Sequence, residues 1–338
     1  PDIISKLTKV GLEVVIESGA GVASEYSDKQ FTDAGAQVKS GDVLANSDVV
    51  LSVQPLTPAQ VKSLKKGAIT ISFLSPTTAT DSIDAAVAAG VTALSLEMVP
   101  RISRAQSMDA LTSQALCAGY KASLVAAELS PKFFPLLMTA AGTVTPAKVV
   151  VLGAGVAGLQ AIATAKRLGA VVEVFDTRPA VKEEVQSLGA KFIEVEGAAD
   201  ASKAGGYAVE QSEEYKQKQQ AKIAESVAKS DVIITTAQIP GRQAPILITQ
   251  PMLDSMKNGS VIIDLAAATG GNTPMTKNNA HFKTDKGVLI VGDSNLPSTM
   301  PFDASKMYGK NVLNFLQLII DKEGNLNLNF ETALSNTN

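Results

Sequence analysis

Three glycines with the spacing Gly-x-Gly-x-x-Gly are the clearest candidate for chemistry in this sequence of 338 residues. Gly153, Gly155 and Gly158 follow an apolar run with the length and β-branched content of a buried parallel strand. In such a turn the first glycine permits a tight bend, the second lets a pyrophosphate approach the backbone, and the third lets the next helix pack closely on the sheet. The N-terminus of that helix also favours an anion. The spacing therefore predicts a dinucleotide-binding turn, and a tight turn without a ligand is the alternative.

An acidic residue stands at the end of the next predicted strand. The pattern predicts a helix over 156–168 and a strand over 171–175, which leads to Asp176. Asp176 is placed to accept hydrogen bonds from an adenosine ribose. Its carboxylate would face the 2′-phosphate of NADP, whereas the nearby Arg178 is a residue type that can accept such a phosphate. Because the carboxylate occupies the strand end, we predict NAD(H) as the cofactor.

The predicted cofactor-binding residues lie where strands of this unit end. Further strands are predicted over 231–235 and 261–265, and ligands of open α/β sheets bind outside the carboxyl ends of their strands. From the sequence the predicted set is Gly153, Ala154, Gly155, Val156, Gly158, Asp176, Thr177, Arg178, Thr236, Ala237, Leu265 and Ala266.

A second polar stretch, residues 100–109, precedes a long Ala-rich helix predicted from about residue 110 to residue 129. It contains two arginines, Gln106 and Asp109. Such a density of polar side chains at the start of a helix indicates a loop that faces a ligand. A solvated helix cap, with Asp109 as the N-terminal charge, is the alternative.

A third candidate segment, residues 197–206, is small and polar, and Tyr207 follows it before a Gln/Glu/Lys-rich helix predicted over 212–229. This pattern is typical of a mobile loop with one aromatic residue at its root. A solvated insertion in which Tyr207 is merely exposed is the alternative.

Alternating strands and helices predict an α/β fold with two Rossmann-like domains, each with a doubly wound parallel sheet. The first domain is predicted to be discontinuous, with residues 1–125 and 300–338, and to be interrupted by an NAD(H)-binding domain over 126–299. We expect the cofactor in the cleft between them. The stretch GAGVAS at 19–24 nearly repeats GAGVAG at 153–158 but lacks the third glycine, so we interpret it as a β–α turn. A small helix is predicted before the strand at 149–152.

Composition and absent motifs exclude several classes of function. The net charge of −3 and the lack of long basic blocks argue against a nucleic-acid partner. The single cysteine, Cys117, excludes an intrachain disulfide and fits a reducing compartment. We expect no membrane-spanning segment and no metal site. The chain begins at Pro1, so a targeting segment could have been lost.

The lone histidine, His281, stands in a polar setting and is expected at the surface. Most NAD-dependent dehydrogenases of hydroxy or amino acids need a general acid or base, commonly His or Lys. A protein that binds NAD without such a group can pass hydride to an acceptor that needs no proton moved. Another nicotinamide ring is such an acceptor.

Several motifs together resemble one family over essentially the whole chain. They are RISRAQSMDA from Arg101, AGY from Ala118, VLGAGVAGLQAI, FDTRPAVKEEVQSLGA, GGYA at 205–208 and VIIDLAAATGGN at 261–272. They resemble the NAD(H)-binding domain I, which belongs to the alpha subunit in bacteria, of proton-translocating nicotinamide nucleotide transhydrogenase. That fold is shared with alanine dehydrogenase.

The resemblance implies an activity and its partners. The domain would bind NADH and deliver hydride to NADP on a separate domain III, while a membrane domain couples the transfer to proton translocation. It would form a homodimer and lie on the cytoplasmic side of a bacterial inner membrane, held there through its partner subunits, or on the matrix side in mitochondria.

The resemblance also implies roles for individual residues. Arg101, Gln106 and Asp109 would hold the nicotinamide and its ribose, and Thr112 stands where the family usually has a serine. Asp176 would take the adenosine ribose. Tyr207 would belong to a mobile loop that closes over the nucleotide.

The sequence departs from the related patterns in two places. The strand and Arg-containing loop with which the family normally opens are missing, so that one sheet is expected to be incomplete or the chain to be cropped. Alanine dehydrogenases would have a lysine and a histidine in the segments matching 52–55 and 71–76, and this chain has neither. An NAD-dependent amino-acid dehydrogenase and a nucleotide-sensing module remain the alternative functions.

Overall fold

The computed structural model describes residues 1–195, 197, 212–239 and 241–328. Its helices are α1 (Ile4–Lys9), α2 (Asp28–Asp33), α3 (Pro58–Ser63), α4 (Thr80–Ala89), α5 (Ala110–Leu129), α6 (Val156–Arg167), α7 (Lys182–Ser187), α8 (Glu213–Lys229), α9 (Gln250–Ser255) and α10 (Pro301–Ile319). Its strands are β1 (Val15–Glu17), β2 (Gln37–Lys39), β3 (Val49–Leu51), β4 (Ile69–Ser72), β5 (Thr92–Ser95), β6 (Leu137–Thr139), β7 (Gly142–Val144), β8 (Lys148–Leu152), β9 (Val171–Phe175), β10 (Lys191–Phe192), β11 (Val232–Thr235), β12 (Val261–Asp264), β13 (His281–Lys283) and β14 (Leu289–Val291).

The chain divides into two compact units, Pro1–Gln114 with Met300–Asn338, and Ala115–Thr299. This division and the boundary predicted at residue 125 both fall within α5. Parallel strands alternate with helices in both units, so that the predicted α/β fold class is confirmed.

The first unit has two parallel sheets, in the orders β1-β2 and β3-β4-β5. The sequence pattern predicted one doubly wound sheet, and the strands instead form two separate ladders. Ile69 and Ile71 of β4 are fully buried and belong to one core cluster with Leu313 and Leu316 of α10. Burial of this apolar face of α10 holds the C-terminal helix in the first unit.

The second unit is built on a sheet with the strand order β10-β9-β8-β11-β12-β14-β13, in which β13 alone among these strands runs antiparallel to its neighbour. Val149 and Val151 of β8 face one core cluster, while Val150 and Leu152 face the other. Because both faces are covered, the strand is apolar at every one of these positions. The chain winds outward from β8 in one direction and from β11 in the other. A topological switch point therefore lies between these two strands.

Two parts of the second unit differ from the sequence predictions. An antiparallel hairpin of β6 and β7 occupies the place where a small helix was predicted. Its turn needs Gly142 at φ +124°, a conformation that favours glycine. The third strand, predicted over 192–195, is β10 at Lys191–Phe192. Short strands with exposed side chains lack the apolar alternation on which strand prediction depends.

A buried carboxylate fixes the amino ends of two central strands. Asp231 accepts hydrogen bonds from the Lys148 N–H at 2.9 Å, from Lys132 Nζ at 3.1 Å and from Lys257 Nζ at 2.8 Å. Burial alone would raise the pKa of Asp231, but these hydrogen bonds outweigh it and the pKa is lowered. The carboxylate is therefore charged at neutral pH and ties β11 to the start of β8.

Helices α5 and α6 approach each other through small residues. A Cβ added at Gly119 of α5 would overlap the carbonyl group of Ala157. Ser123 Oγ donates to the Ala161 carbonyl at 2.8 Å, and Ala122 on this face is fully buried. The Ala-rich composition of α5 thus permits a close helix contact behind the glycine turn.

We expect Gly119→Ala to destabilise the protein by about 2 kcal/mol, because the added methyl group has no room between the two helices. Gly309→Ala is the matched control, since a Cβ there meets only Ile3 at an ordinary distance of 3.9 Å. In the interior of α10 that change should be neutral or stabilise by ~0.5–1 kcal/mol. Urea unfolding of both variants measures the difference, and equal stabilities would show that the helix contact is not tight.

Candidate functional site

The glycine turn lies at the carboxyl end of β8, beside the switch point. Gly153 has φ +102°, and its N–H donates to the Phe175 carbonyl at 2.8 Å. A Cβ at Gly158 would overlap the Gly153 carbonyl oxygen, whereas a Cβ at Gly155 meets no atom within 4 Å. The protein itself therefore requires glycine at the first and third positions. At Gly155 the side of the backbone that a Cβ would occupy is open space.

This open space is what a bound pyrophosphate would need. Gly155 is the N-cap of α6, and no side chain hydrogen-bonds to the cap. The first turn of α6 therefore presents backbone N–H groups, including that of Val156, next to the open side of Gly155. A dinucleotide fits the residues present, with the pyrophosphate on the α6 N-terminus.

Asp176 connects the glycine turn to the end of β9. Its Oδ2 accepts from the Ala154 N–H at 2.7 Å, and its Oδ1 accepts from the Arg178 N–H at 2.8 Å. The Arg178 guanidinium donates from Nε to Oδ1 at 2.9 Å and from Nη2 to Oδ2 at 2.7 Å. These hydrogen bonds raise the pKa of Arg178. The Asp176 side chain is 6% exposed, and Thr177 beside it is half-buried.

The segment after β11 is held against the glycine turn. The Thr236 N–H donates to the Leu152 carbonyl at 2.9 Å, and Thr236 Oγ1 donates to the Gly153 carbonyl at 3.2 Å. Ala237 follows directly. The structure thus places Thr236 beside the predicted turn, although its role in cofactor binding stays a prediction.

Two fully buried polar residues that were not predicted, Asn272 and Asp264, organise this edge of the sheet. Asn272 Oδ1 accepts from the Ala237 N–H at 3.2 Å, and its Nδ2 donates to the carbonyls of Ala237 and Pro245 at 2.9 Å and 2.8 Å. Asp264 accepts from the N–H groups of Ala266 and Asn272 at 2.9 Å and 2.6 Å. The pair fixes the backbone at Ala237 and Ala266.

The sequence signal for this network is the glycine pair before Asn272. Gly270 and Gly271 have φ +102° and +81°, so that they turn the chain back towards Asp264. Leu265, the remaining predicted residue here, donates its N–H to the Thr235 carbonyl at 2.9 Å.

Tyr215 is a further side chain near Asp176 that was not predicted. It is buried at the start of α8, and its N–H donates to Ser212 Oγ at 3.2 Å. Burial, and then the negative charge of Asp176, raises the pKa of the Tyr215 hydroxyl, so that it stays protonated. Tyr207, the aromatic residue that was predicted, lies outside the described residues.

In the first unit, the polar stretch forms a 3₁₀ helix over Ser103–Met108. Both Asn311 Nδ2 and Asn314 Nδ2 donate to the Ser107 carbonyl, at 3.0 Å and 2.9 Å, which holds the stretch against α10. Arg101 and Gln106 are exposed on it.

Asp109 begins α5 in the manner of a helix cap. Its Oδ1 accepts from the Thr112 N–H at 2.8 Å, and its Oδ2 accepts from Thr112 Oγ1 at 2.6 Å. The alternative of a helix cap thus describes the contacts of Asp109, and the Thr112 hydroxyl is engaged with it. Their predicted contacts with a nucleotide stay predictions.

The segments that would hold the lysine and histidine of an amino-acid dehydrogenase are fixed by other residues. Tyr308 donates its hydroxyl to the Ser52 carbonyl at 2.6 Å, and burial raises the pKa of Tyr308. The Glu97 carboxylate accepts from the N–H groups of Leu74 and Ser75.

His281 lies on β13 with its Nε2 at 3.0 Å from Asp293 Oδ2, and it is exposed as expected. In the part of the chain that the structure describes, no group of three or more His, Cys, Asp or Glu side chains is arranged to hold a metal ion. None of the described helices combines the length and apolar character needed to cross a membrane.

Comparisons with known proteins match the chain over nearly its full length. Residues 1–118 match the family model of the alanine dehydrogenase/PNT N-terminal domain, and residues 122–337 match that of the C-terminal domain. The first of the separate chains that make up NAD(P) transhydrogenase subunit alpha in Rhodospirillum rubrum is 48% identical over 332 residues, with 96% of this chain and 86% of that protein covered.

Solved structures give the same relationship. The transhydrogenase of Sinorhizobium meliloti superposes with a TM-score of 0.84 at 44% identity, covering 93% of this chain and 87% of that one. An L-alanine dehydrogenase superposes with a TM-score of 0.79 at 25% identity, covering 94% and 84%. The resemblance inferred from the sequence motifs is thereby confirmed.

We expect Gly155→Ala to fold normally and to bind NADH at least about tenfold more weakly, a cost of ~1.4 kcal/mol, because its methyl group enters the space of the pyrophosphate. Isothermal titration and thermal unfolding measure the two effects. Gly158→Ala, whose Cβ overlaps the Gly153 carbonyl, should instead lower the unfolding temperature. Unchanged NADH affinity in Gly155→Ala would place the nucleotide elsewhere.

We expect Asn272→Ala to destabilise the protein by about 3 kcal/mol, because three hydrogen-bonding groups at Ala237 and Pro245 lose their partner in a buried setting. Thermal unfolding measures the loss, and NADH titration should show weaker binding as the segment after β11 loosens. The exposed neighbour Asn278 gives the control, Asn278→Ala, which should behave like the unsubstituted protein. Similar unfolding of both variants would contradict the role of Asn272.

Proposed function

The chain belongs to the alanine dehydrogenase/PNT family, and from that premise we propose that it is the NAD(H)-binding component of a proton-translocating NAD(P) transhydrogenase. In this proposal hydride passes between NADH on this chain and NADP⁺ on a partner domain III, and a membrane domain couples the transfer to proton translocation. The open side of Gly155 at the switch point carries the proposal, together with the names of the relatives.

The assignment of NAD(H) to this chain rests on Asp176. A carboxylate at the end of the second strand of a Rossmann sheet accepts hydrogen bonds from ribose hydroxyls and repels a 2′-phosphate. Asp176 occupies that place and is fixed to the glycine turn through the Ala154 N–H. NADP(H) therefore belongs on the partner domain.

The chemistry that NADH supplies is the transfer of hydride from its nicotinamide ring. The residues of this chain need only bind and orient that ring, since no proton has to reach a side chain. Arg101 and Gln106 are exposed on a segment that the amides of Asn311 and Asn314 fix to α10. A segment held in this way can orient a bound ring with little loss of conformational entropy during the reaction. Asp109 then acts by fixing the start of α5 or the nicotinamide ribose.

An NAD-dependent alanine or other amino-acid dehydrogenase is the alternative, favoured by the shared fold. Oxidation of an amino acid moves a proton and requires an acid–base group. Ser52, Gln54 and the backbone of Leu74 and Ser75 occupy the matching segments, and Tyr308 and Glu97 take up their polar groups. These contacts support the transhydrogenase over the dehydrogenase.

The proposal extends to the partners and the location of the protein. As a component of this enzyme, the chain would form a homodimer and bind the partner domain III and the membrane domain. It would lie at the cytoplasmic face of a bacterial inner membrane through those partners, with the mitochondrial matrix side as the alternative. We propose no metal and no nucleic-acid partner.

We expect Gln106→Ala to slow hydride transfer from NADH to NADP⁺ on domain III by about tenfold or more at saturation, while NADH binds within about threefold of normal. Misplacement of the ring penalises the transition state more than the bound ground state. Stopped-flow transfer at matched NADH occupancy measures the rate, and titration measures the affinity.

The control for this measurement is Gln217→Ala on α8, which should change neither quantity. A normal rate for Gln106→Ala would contradict the positioning role. Efficient NADH-dependent reduction of a keto acid with ammonia, without domain III, would favour the amino-acid dehydrogenase. NADH binding without any hydride transfer to domain III would favour a nucleotide-sensing module.

A further inference from the structure

The Asp176 carboxylate already has as many hydrogen-bond donors as it can accept. An ionised carboxylate offers about four lone-pair sites. Two are taken by the N–H groups of Ala154 and Arg178, and two by Nε and Nη2 of the Arg178 guanidinium, all at 2.7–2.9 Å. A ribose hydroxyl that approaches Asp176 therefore meets an acceptor whose sites are filled.

These four donors differ in how easily they can leave. The N–H groups belong to the glycine turn and to the chain after β9, so that the fold itself fixes them. The guanidinium is a side chain that can move by rotamer changes alone, and it is 17% exposed. The guanidinium is thus the group that an incoming ribose can displace.

We propose that Arg178 determines nucleotide specificity by competing with the adenosine ribose for the Asp176 carboxylate. The inference rests on the proposed binding of NAD(H) at this site. In the free protein the guanidinium occupies the two positions that the ribose hydroxyls take on binding. NAD(H) has to displace it, so Arg178 lowers the affinity for NAD(H).

The same pairing also weakens discrimination against NADP(H). The bidentate guanidinium neutralises the charge that would repel a 2′-phosphate, and a displaced guanidinium lies close enough to bind that phosphate. Without Arg178, Asp176 would bind ribose hydroxyls unopposed and repel NADP(H) fully. Arg178 therefore narrows the preference that Asp176 creates.

The test compares Arg178→Met with the unsubstituted protein by titration with NADH and with NADPH. We expect NADH to bind about threefold to tenfold more tightly to Arg178→Met and NADPH to bind more weakly. The control Lys182→Met removes an equal charge from the pair that Lys182 forms with Glu194, and it should leave the ratio of the two affinities unchanged.

A second variant covers loss of the fold in Arg178→Met, which leaves a buried carboxylate without its cation. Arg178→Lys keeps the charge but not the two-pronged geometry, so it should show the same direction with a smaller gain. In the unsubstituted protein, the Arg178 Nε–H signal in nitrogen-15 spectra should also lose protection from exchange when NADH is added.

Weaker NADH binding in both variants would overturn the competition, since Arg178 would then hold the nucleotide instead of excluding it. Retained protection of the Nε–H with NADH bound would also overturn it. A folded, unsubstituted protein that binds neither nucleotide would contradict the proposed function itself. The two failures are thus distinguishable.

Discussion

The second unit depends on backbone contacts that only glycine permits. The first turn of α6 lies against the carbonyl of Gly153, at a distance that leaves no room for a Cβ at Gly158, and α5 lies as closely against Ala157 through Gly119. These contacts set how near the N-terminus of α6 comes to the end of β8. Because a pyrophosphate would bind through backbone N–H groups, the close packing of helix and sheet determines the geometry of the site.

The second requirement is the pairing of buried polar groups at the carboxyl edge of the sheet. Chain segments that leave the strands there expose N–H and carbonyl groups that no neighbouring strand can satisfy. Asp264 and Asn272 satisfy several of them after β11 and β12, and Asp176 does so after β9. The side chains that make a loop rigid are therefore buried, while the groups that could contact a ligand are mainly backbone atoms.

Local patterns in the sequence predicted the elements of the fold that depend on local patterns. The strands β8, β9, β11 and β12 were predicted because burial on both faces makes them continuous apolar runs. The hairpin of β6 and β7 was missed because its short strands have exposed side chains. Asn272 was missed because its partners, Ala237 and Pro245, are distant in sequence. Asp109 illustrates a different limit, since a helix cap and a ligand contact need the same residue type at the same place.

The absence of acid–base groups from the proposed mechanism has a physical consequence for the rest of the protein. When no side chain exchanges a proton, the rate depends on where the nicotinamide ring is held and not on the protonation of a catalytic group. The residues that matter are then neutral or permanently charged, as Gln106 and Arg101 are. Near neutral pH the hydride-transfer step should accordingly change little with pH. Tyr215 and Tyr308, whose pKa values are raised by burial, stay protonated and act as fixed hydrogen-bond donors or packing groups. Such a site is constrained through geometry, which explains why so much of the described structure serves to fix backbone segments.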